Sequence, residues 1–145
     1  MRVLVQRSGK AEVLVDGKII GKISDGLVLL VGFTYGDDIE KVKYLAKKVV
    51  NLRIFPDEND VMNKSLLDFG GSILSVSQFT LYGNLVKGNR PSYIDALKGE
   101  EAISLYDAFN EELRTYGVVV ETGQFGADMD VSITNIGPTT IWLEK

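Results

Sequence analysis

The stretch from Gly70 to Gly83 combines two opening glycines, an apolar β-branched segment and a closing Tyr-Gly-Asn turn signal. The apolar segment is long enough for a buried strand. Continued alternation predicts that four side chains share one face of this strand, namely Leu74, Val76, Gln78 and Thr80. The polar end, Ser77–Thr80, fits either a site at the strand end or a strand that emerges into solvent. The pattern alone favours the second interpretation.

The N-terminal third has the pattern of a β-meander. Strands are predicted at Val3–Val5 and Ala11–Val15, and Asp16-Gly17 predicts a tight hairpin after the second. Leu27–Val31 is apolar at every position. A strand of this kind is buried on both faces, so it is predicted to lie in the centre of a sheet.

Two helices follow from apolar residues at helical spacing. Asp37 is the predicted cap of the first, with Glu40 in the capping-box position three residues later. The second is predicted over Glu100–Tyr116, and Gly117 fits the position after its end. Shorter apolar segments predict four more strands, at Leu52–Phe55, Val118–Val120, Val131–Ile133 and Thr140–Leu143.

The pattern of elements predicts a mixed α/β fold with roughly eight strands and two helices, its sheets largely antiparallel. We expect sheet packed on sheet, with the two helices on one outer face, in a three-layer α/β/β arrangement. With 145 residues and no linker or repeat, the chain is expected to form one domain, residues 1–145.

Composition excludes several classes of function. The chain has no histidine and no cysteine, which removes Ser-His-Asp and Cys-His catalysis and imidazole or thiolate metal ligands. Its net charge of −4 disfavours generic binding of nucleic acid by a basic surface. No apolar run approaches the roughly 20 residues of a membrane span. With no cysteine and no signal-peptide pattern, the cytoplasm is the expected location.

Two loops are candidates for binding. The loop Asn84–Tyr93 carries Lys87 and Arg90, which fits either phosphate contacts or a solvated surface loop. The second candidate is Thr122–Met129, which is punctuated by glycines. Further on, Asn135–Pro138 is most simply a turn, and its Gly-Pro bond is of the kind that can be cis.

The three motifs Ser77–Leu81, Lys87–Ser92 and Thr122–Met129, the last running on into Asn135–Thr140, occur in this order. Together with Val5–Arg7 and Asn51–Phe55, they closely resemble the D-aminoacyl-tRNA deacylases, also described as the D-Tyr-tRNA deacylase family. The resemblance covers essentially the whole chain. Three residues depart from what the family often carries at these positions (Arg, Asp and Val), namely Gln124, Ile136 and Thr139.

The resemblance implies a homodimeric enzyme that hydrolyses the ester between a D-amino acid and the 3′-terminal adenosine of tRNA. Glycyl esters on the wrong tRNA are also family substrates. No cofactor, metal or membrane is implied. Gly137 and Pro138 of one subunit would exclude L side chains from the other subunit's site, with Arg7 helping to hold them. The terminal adenosine would be held by one loop, residues Phe125, Gly126, Ala127, Asp128 and Met129.

The resemblance also assigns the catalytic segment, Ser77, Gln78, Phe79 and Thr80. Thr80 is a tempting nucleophile, but a hydroxyl nucleophile normally needs a general base beside it, and no histidine exists. We therefore expect the vicinal 2′-OH of the substrate to assist water, and backbone N–H groups near Phe79 and Thr80 to stabilise the oxyanion. Two alternatives are a non-catalytic RNA-binding or interaction module and an oxygen-ligated metal hydrolase, for which the sequence has no convincing carboxylate cluster.

Overall fold

The computed structural model describes residues 1–145 as a six-stranded sheet, a small two-stranded sheet and three helices. The strands are β1 (Arg2–Val15), β2 (Lys18–Ile23), β3 (Gly26–Gly32), β4 (Phe55–Pro56), β5 (Met62–Lys64), β6 (Ser72–Ser77), β7 (Val120–Thr122) and β8 (Asp130–Glu144). The helices are α1 (Ile39–Asn51), α2 (Leu66–Phe69) and α3 (Gly99–Thr115), and a 3₁₀ turn spans Phe79–Tyr82. No helix combines the length and apolarity that crossing a membrane would need.

The long strand β1 is the centre of the sheet. Its first half pairs antiparallel with β3, its second half pairs with β2, and β8 runs along its other edge. The predicted strands Val3–Val5 and Ala11–Val15 are therefore one strand. The pairing with β8 shifts register on both sides of Ser8, so the strand bends at bulges instead of ending. In the same way, the predicted strands Val131–Ile133 and Thr140–Leu143 are two parts of β8.

The predicted hairpin between β1 and β2 is confirmed. Asp16 and Gly17 have φ of 50° and 72°, and a type I′ turn requires positive φ at both positions. The predicted central strand is also confirmed as β3. Leu27, Leu29 and Val31 belong to the larger hydrophobic cluster, whereas Val28 belongs to the smaller one, so both faces of β3 are buried.

The α/β class is confirmed, and the sheet is mixed. β3, β6 and β7 are parallel neighbours, which helical crossovers make possible. Both α1 and α3 cover one face of the sheet, where the larger cluster lies. The smaller cluster fills the opposite face, and there a Cβ on Gly21 of β2 would lie 2.8 Å from the Thr122 carbonyl oxygen of β7. The two packed sheet layers that the sequence predicts are thus two halves of one curled sheet.

The predicted cap of α1 is wrong by one residue. Asp38 is the cap and accepts a hydrogen bond from the Lys41 amide, whereas the buried Asp37 carboxylate contacts the Met1 ammonium at 2.6 Å. Burial lowers the pKa of the Met1 amine, and the Asp37 carboxylate counteracts that shift. Asp37 also accepts from the Thr34 amide at 2.8 Å, and so fixes the segment that leaves β3.

Replacing Asp37 by alanine is expected to lower the free energy of unfolding by about 3–5 kcal/mol, because it leaves a buried charge unpaired. Asp38→Ala is the matched control. It removes an exposed cap, which costs about 1 kcal/mol. Urea denaturation of both variants measures the difference, and equal losses would contradict the two assigned roles.

Other element boundaries also differ from prediction. The predicted strand Leu52–Phe55 shares only Phe55 with the two-residue β4, and Val120–Thr122 replaces the predicted Val118–Val120. The one-turn helix α2 was not predicted, since it is too short to show helical periodicity. A capping box between Ser65 and Asp68 begins it.

Candidate active site

A cleft of about 460 Å³ opens at the carboxyl ends of the parallel strands β3 and β6. Ligands in sheets of this kind bind outside the carboxyl ends of the strands. The residues that line it come from four segments, namely Val31–Phe33, Val76–Phe79, Leu97–Gly99 with Ala102, and Phe125–Met129 with Val131. The cleft therefore brings together two segments that the sequence assigned to the site, the end of β6 and the glycine-punctuated loop.

The end of β6 turns earlier than the alternation predicts. The Gln78 amide still bonds to the Val31 carbonyl at 2.7 Å, but the chain then enters the 3₁₀ turn, with the Leu81 amide donating to the Gln78 carbonyl at 3.2 Å. A Cβ on Gly32 would lie 2.9 Å from the Gln78 carbonyl oxygen, so a glycine is needed for this close approach. The prediction that Gln78 and Thr80 share a strand face is therefore wrong.

The turn separates the four residues of the predicted catalytic segment. Ser77, Gln78 and Phe79 line the cleft, whereas Thr80 is exposed and does not line it. The Gln78 side-chain amide donates a hydrogen bond to the Thr80 hydroxyl. An amide donor cannot remove a proton, so this contact does not activate Thr80 as a nucleophile.

The residues Phe125–Met129, to which the resemblance assigns adenosine binding, also line the cleft. The Ser75 carbonyl of β6 supports this loop, because it accepts from the Gly123 amide at 3.0 Å and from the Tyr106 hydroxyl at 2.8 Å. The Tyr106 ring packs against Phe125 with centroids 5.8 Å apart. Burial raises the pKa of the Tyr106 hydroxyl, so it stays a neutral donor.

The sequence did not predict two sets of residues that line the cleft or support it. Lys98 and Gly99, where α3 begins, line the cleft, and Lys98 is the one lysine in its lining. Tyr106 supports the loop Phe125–Met129 from the middle of α3. Their signals in the sequence are weak, since Tyr106 falls within an ordinary apolar helix stripe and Lys98 precedes a helix without any motif.

The remaining predicted residues lie outside the cleft of their own chain. Gly137 and Pro138 are exposed at the bulged part of β8 and are joined by a cis peptide bond. The Arg7 guanidinium reaches the Gly137 carbonyl at 3.3 Å and the Ile54 carbonyl at 2.7 Å. Arg7 thus contacts the Gly-Pro segment within one chain, whereas a contact across an interface stays a prediction.

The basic residues Lys87 and Arg90 are exposed on the Asn84–Ser92 loop and do not line the cleft.

The structure shows what surrounds two of the residues that depart from the family pattern, Ile136 and Thr139. The Ile136 side chain lies near Gly9, where a Cβ would be 3.6 Å from its Cδ1, and Thr139 is buried with its hydroxyl 3.7 Å from the Met62 sulfur.

Comparison with known proteins identifies the family. The family model described as D-Tyr-tRNA(Tyr) deacylase matches residues 4–144. The chain belongs to this deacylase family. The D-aminoacyl-tRNA deacylase of Anoxybacillus flavithermus is 56% identical over 145 residues, which cover 100% of this chain and 99% of the relative. The resemblance stated from the motifs is confirmed, and with it the assignment to a hydrolase family.

Two solved structures share the deacylase fold. A protein described as "c-Myc DNA Unwinding Element Binding Protein" superposes with a TM-score of 0.93 at 39% identity, covering 100% of this chain and 99% of its own. The structure titled "Structural Analysis of a probable eukaryotic D-amino acid tRNA deacylase" gives a TM-score of 0.84 at 20% identity, covering 98% and 97%. At that identity the second likeness concerns the fold alone.

Proposed function

We propose that this chain hydrolyses the ester between a D-amino acid and the 3′-terminal adenosine of tRNA, and also the ester of glycine on the wrong tRNA. The observation that carries the proposal is the shared cleft, in which Ser77–Phe79 and Phe125–Met129 face one space. Its volume of about 460 Å³ suits a small ligand such as an aminoacylated nucleoside. Aminoacyl-tRNA is a cytoplasmic substrate, so the chain would act there.

The adenosine would lie against the loop. Phe125 offers an aromatic ring for the adenine, and Tyr106 behind it keeps that ring in place. The ester carbonyl would then point towards the start of the 3₁₀ turn. The first N–H groups of such a turn, those of Phe79 and Thr80, have no partner within it and are free to stabilise an oxyanion.

Hydrolysis by this site would depend on the substrate for activation of water. The cleft contains no histidine or cysteine, and the exposed Thr80 hydroxyl is occupied by Gln78. The one carboxylate in the cleft lining, Asp128, is exposed, so the 2′-OH next to the ester is the group that we expect to orient or activate water. Gln78 would orient the ribose or the substrate, Ser77 would shape the cleft wall, and Thr80 would hold Gln78 in position.

Chiral selection would come from a second copy of the chain. Gly137 and Pro138 are exposed and do not line the cleft of their own chain, and the Arg7 guanidinium donates to the Gly137 carbonyl. β8 pairs only with β1, so a 15-residue strand has an unpaired edge. Edges of this kind are templates for pairing with another chain, which supports a homodimer. A backbone wall rejects an L side chain by steric exclusion and tolerates many D side chains.

Binding of the tRNA body would depend on local cations. Lys87 and Arg90 are exposed and free to contact phosphates on a chain whose net charge is −4. We expect affinity for tRNA to fall steeply with salt and to depend little on tRNA sequence.

The proposal is tested by incubating D-Tyr-tRNA and L-Tyr-tRNA in parallel with the protein, with and without a chelator. We expect the D ester to be cleaved, the L ester to be spared and the chelator to have no effect. An RNA-binding or interaction module would leave both esters intact, and cleavage of both at similar rates would contradict the proposed selection.

A further inference from the structure

An aromatic pair lies at the mouth of the cleft. Phe79 lines the cleft and keeps 49% of its surface exposed. The Tyr93 ring packs edge-on against it, with centroids 5.0 Å apart and an interplanar angle of 72°. Neither ring takes part in the hydrophobic core. The pair therefore presents aromatic surface to whatever extends out of the cleft.

The backbone around the pair holds the Tyr93 ring in this position. The Asn84 amide donates to the Ser92 carbonyl at 2.8 Å, and the Ser92 amide donates back at 2.9 Å, so the loop is closed immediately before Tyr93. A Cβ on Gly83 would lie 3.2 Å from a carbon of the Tyr93 ring. The glycine thus leaves room for the ring to pack where it does.

The loop beside the pair carries the positive charge that contacts with nucleic-acid phosphates require. Lys87 and Arg90 are both exposed, and the segment Gly83–Ile94 contains no acidic residue although the whole chain has a net charge of −4. Aromatic rings combined with nearby cations are the usual means of binding single-stranded nucleic acid, because every base has a face that can stack.

We propose that Phe79 and Tyr93 form a stacking subsite for the unpaired nucleotide that precedes the terminal adenosine, with its phosphate towards Lys87 and Arg90. This inference rests on the proposed function, since it assumes that the aminoacylated adenosine occupies the cleft. Phe79 contacts both the cleft and Tyr93, so a base stacked on the pair is the next neighbour of a nucleoside in the cleft.

The test compares two substrates that differ by one nucleotide, D-tyrosyl-adenosine and the D-tyrosyl ester of cytidylyl-adenosine. We expect the wild-type protein to have a higher kcat/KM for the dinucleotide by about tenfold, the scale of one base–aromatic stack. Tyr93→Ala should remove most of this gain, and Tyr93→Phe, which keeps the ring, should retain it. Tyr44→Ala, which removes an exposed tyrosine from α1, is the matched control and should keep the gain.

The outcomes separate the possible roles of Tyr93. A Tyr93→Ala variant that keeps the dinucleotide gain would overturn the subsite. An equal loss of kcat/KM on both substrates would also overturn the subsite. If that loss came with a changed oligomeric state, the surface around Tyr93, including the exposed Leu85 and Val86, would be assigned to contacts between copies of the chain. If the wild-type protein cleaved neither ester, the proposed function itself would fail.

Discussion

A leucine in place of Gly137 is expected to reduce hydrolysis of D-Tyr-tRNA by at least about 100-fold while leaving the stability of the fold unchanged. In the isolated chain, a Cβ at Gly137 has no heavy atom within 4 Å, and the backbone there does not need a glycine. An exposed side chain in open space normally changes stability by less than about 0.5 kcal/mol. A large loss of activity would then come from a neighbour that the single chain lacks, the cleft of a partner subunit.

The matched control is Ser132→Leu, which adds the same side chain to an exposed position of β8 five residues before Gly137. We expect this variant to keep the wild-type rate. Thermal unfolding of both variants checks that the fold is intact. A Gly137→Leu variant with the wild-type rate and wild-type rejection of L-Tyr-tRNA would contradict the cross-subunit wall.

Mixed dimers test directly whether Gly137 acts on the cleft of the partner subunit. Ala127→Trp should block the cleft of its own chain, whereas Gly137→Leu should block the cleft of the partner. A dimer with one subunit of each kind then has one site with both defects and one site with neither, so purified mixed dimers should recover about half of the wild-type activity. If each site belonged to one chain, every site of the mixed dimer would carry a defect and no activity would return.

Local signals in the sequence predicted the parts of the fold that local chemistry decides. The Asp16-Gly17 hairpin and the doubly buried β3 are set by backbone preference and by the apolar run itself. The cap of α1 was wrong because the choice between Asp37 and Asp38 depends on the Met1 ammonium, which is 36 residues away. The continuity of β1 and β8 was missed because bulges carry each strand through polar residues that resemble a turn.

The candidate site shows the same limit. The motifs identified both walls of the cleft, Ser77–Phe79 and Phe125–Met129, through their resemblance to a family. The alternation extended β6 too far, because the early turn depends on the absence of a side chain at Gly32 in a neighbouring strand. Lys98 and Tyr106 reach the site through the packing of α3, which leaves no mark on local sequence.

The role of Thr80 limits what the protein itself can contribute to the chemistry. Its hydroxyl accepts from the Gln78 amide and does not line the cleft. If Thr80 only positions Gln78, Thr80→Ala should lower the single-turnover rate of D-Tyr-tRNA by about tenfold or less, the effect of one modest hydrogen bond. A rate that is abolished in Thr80→Ala and restored in Thr80→Ser would instead make the hydroxyl itself essential.

Removal of the 2′-OH from the terminal adenosine is expected to lower the single-turnover rate by about 10²–10⁴-fold, the range that positioned proton transfer provides. The reason is that the cleft offers no histidine or cysteine, and the one carboxylate in its lining, Asp128, is exposed on the loop Phe125–Met129. Competition binding with the uncharged 2′-deoxy tRNA separates chemistry from affinity, and we expect similar affinities with and without the hydroxyl. If the 2′-deoxy substrate turned over at the normal rate, water would have to be activated by the protein, and Asp128→Asn would then be the variant to measure.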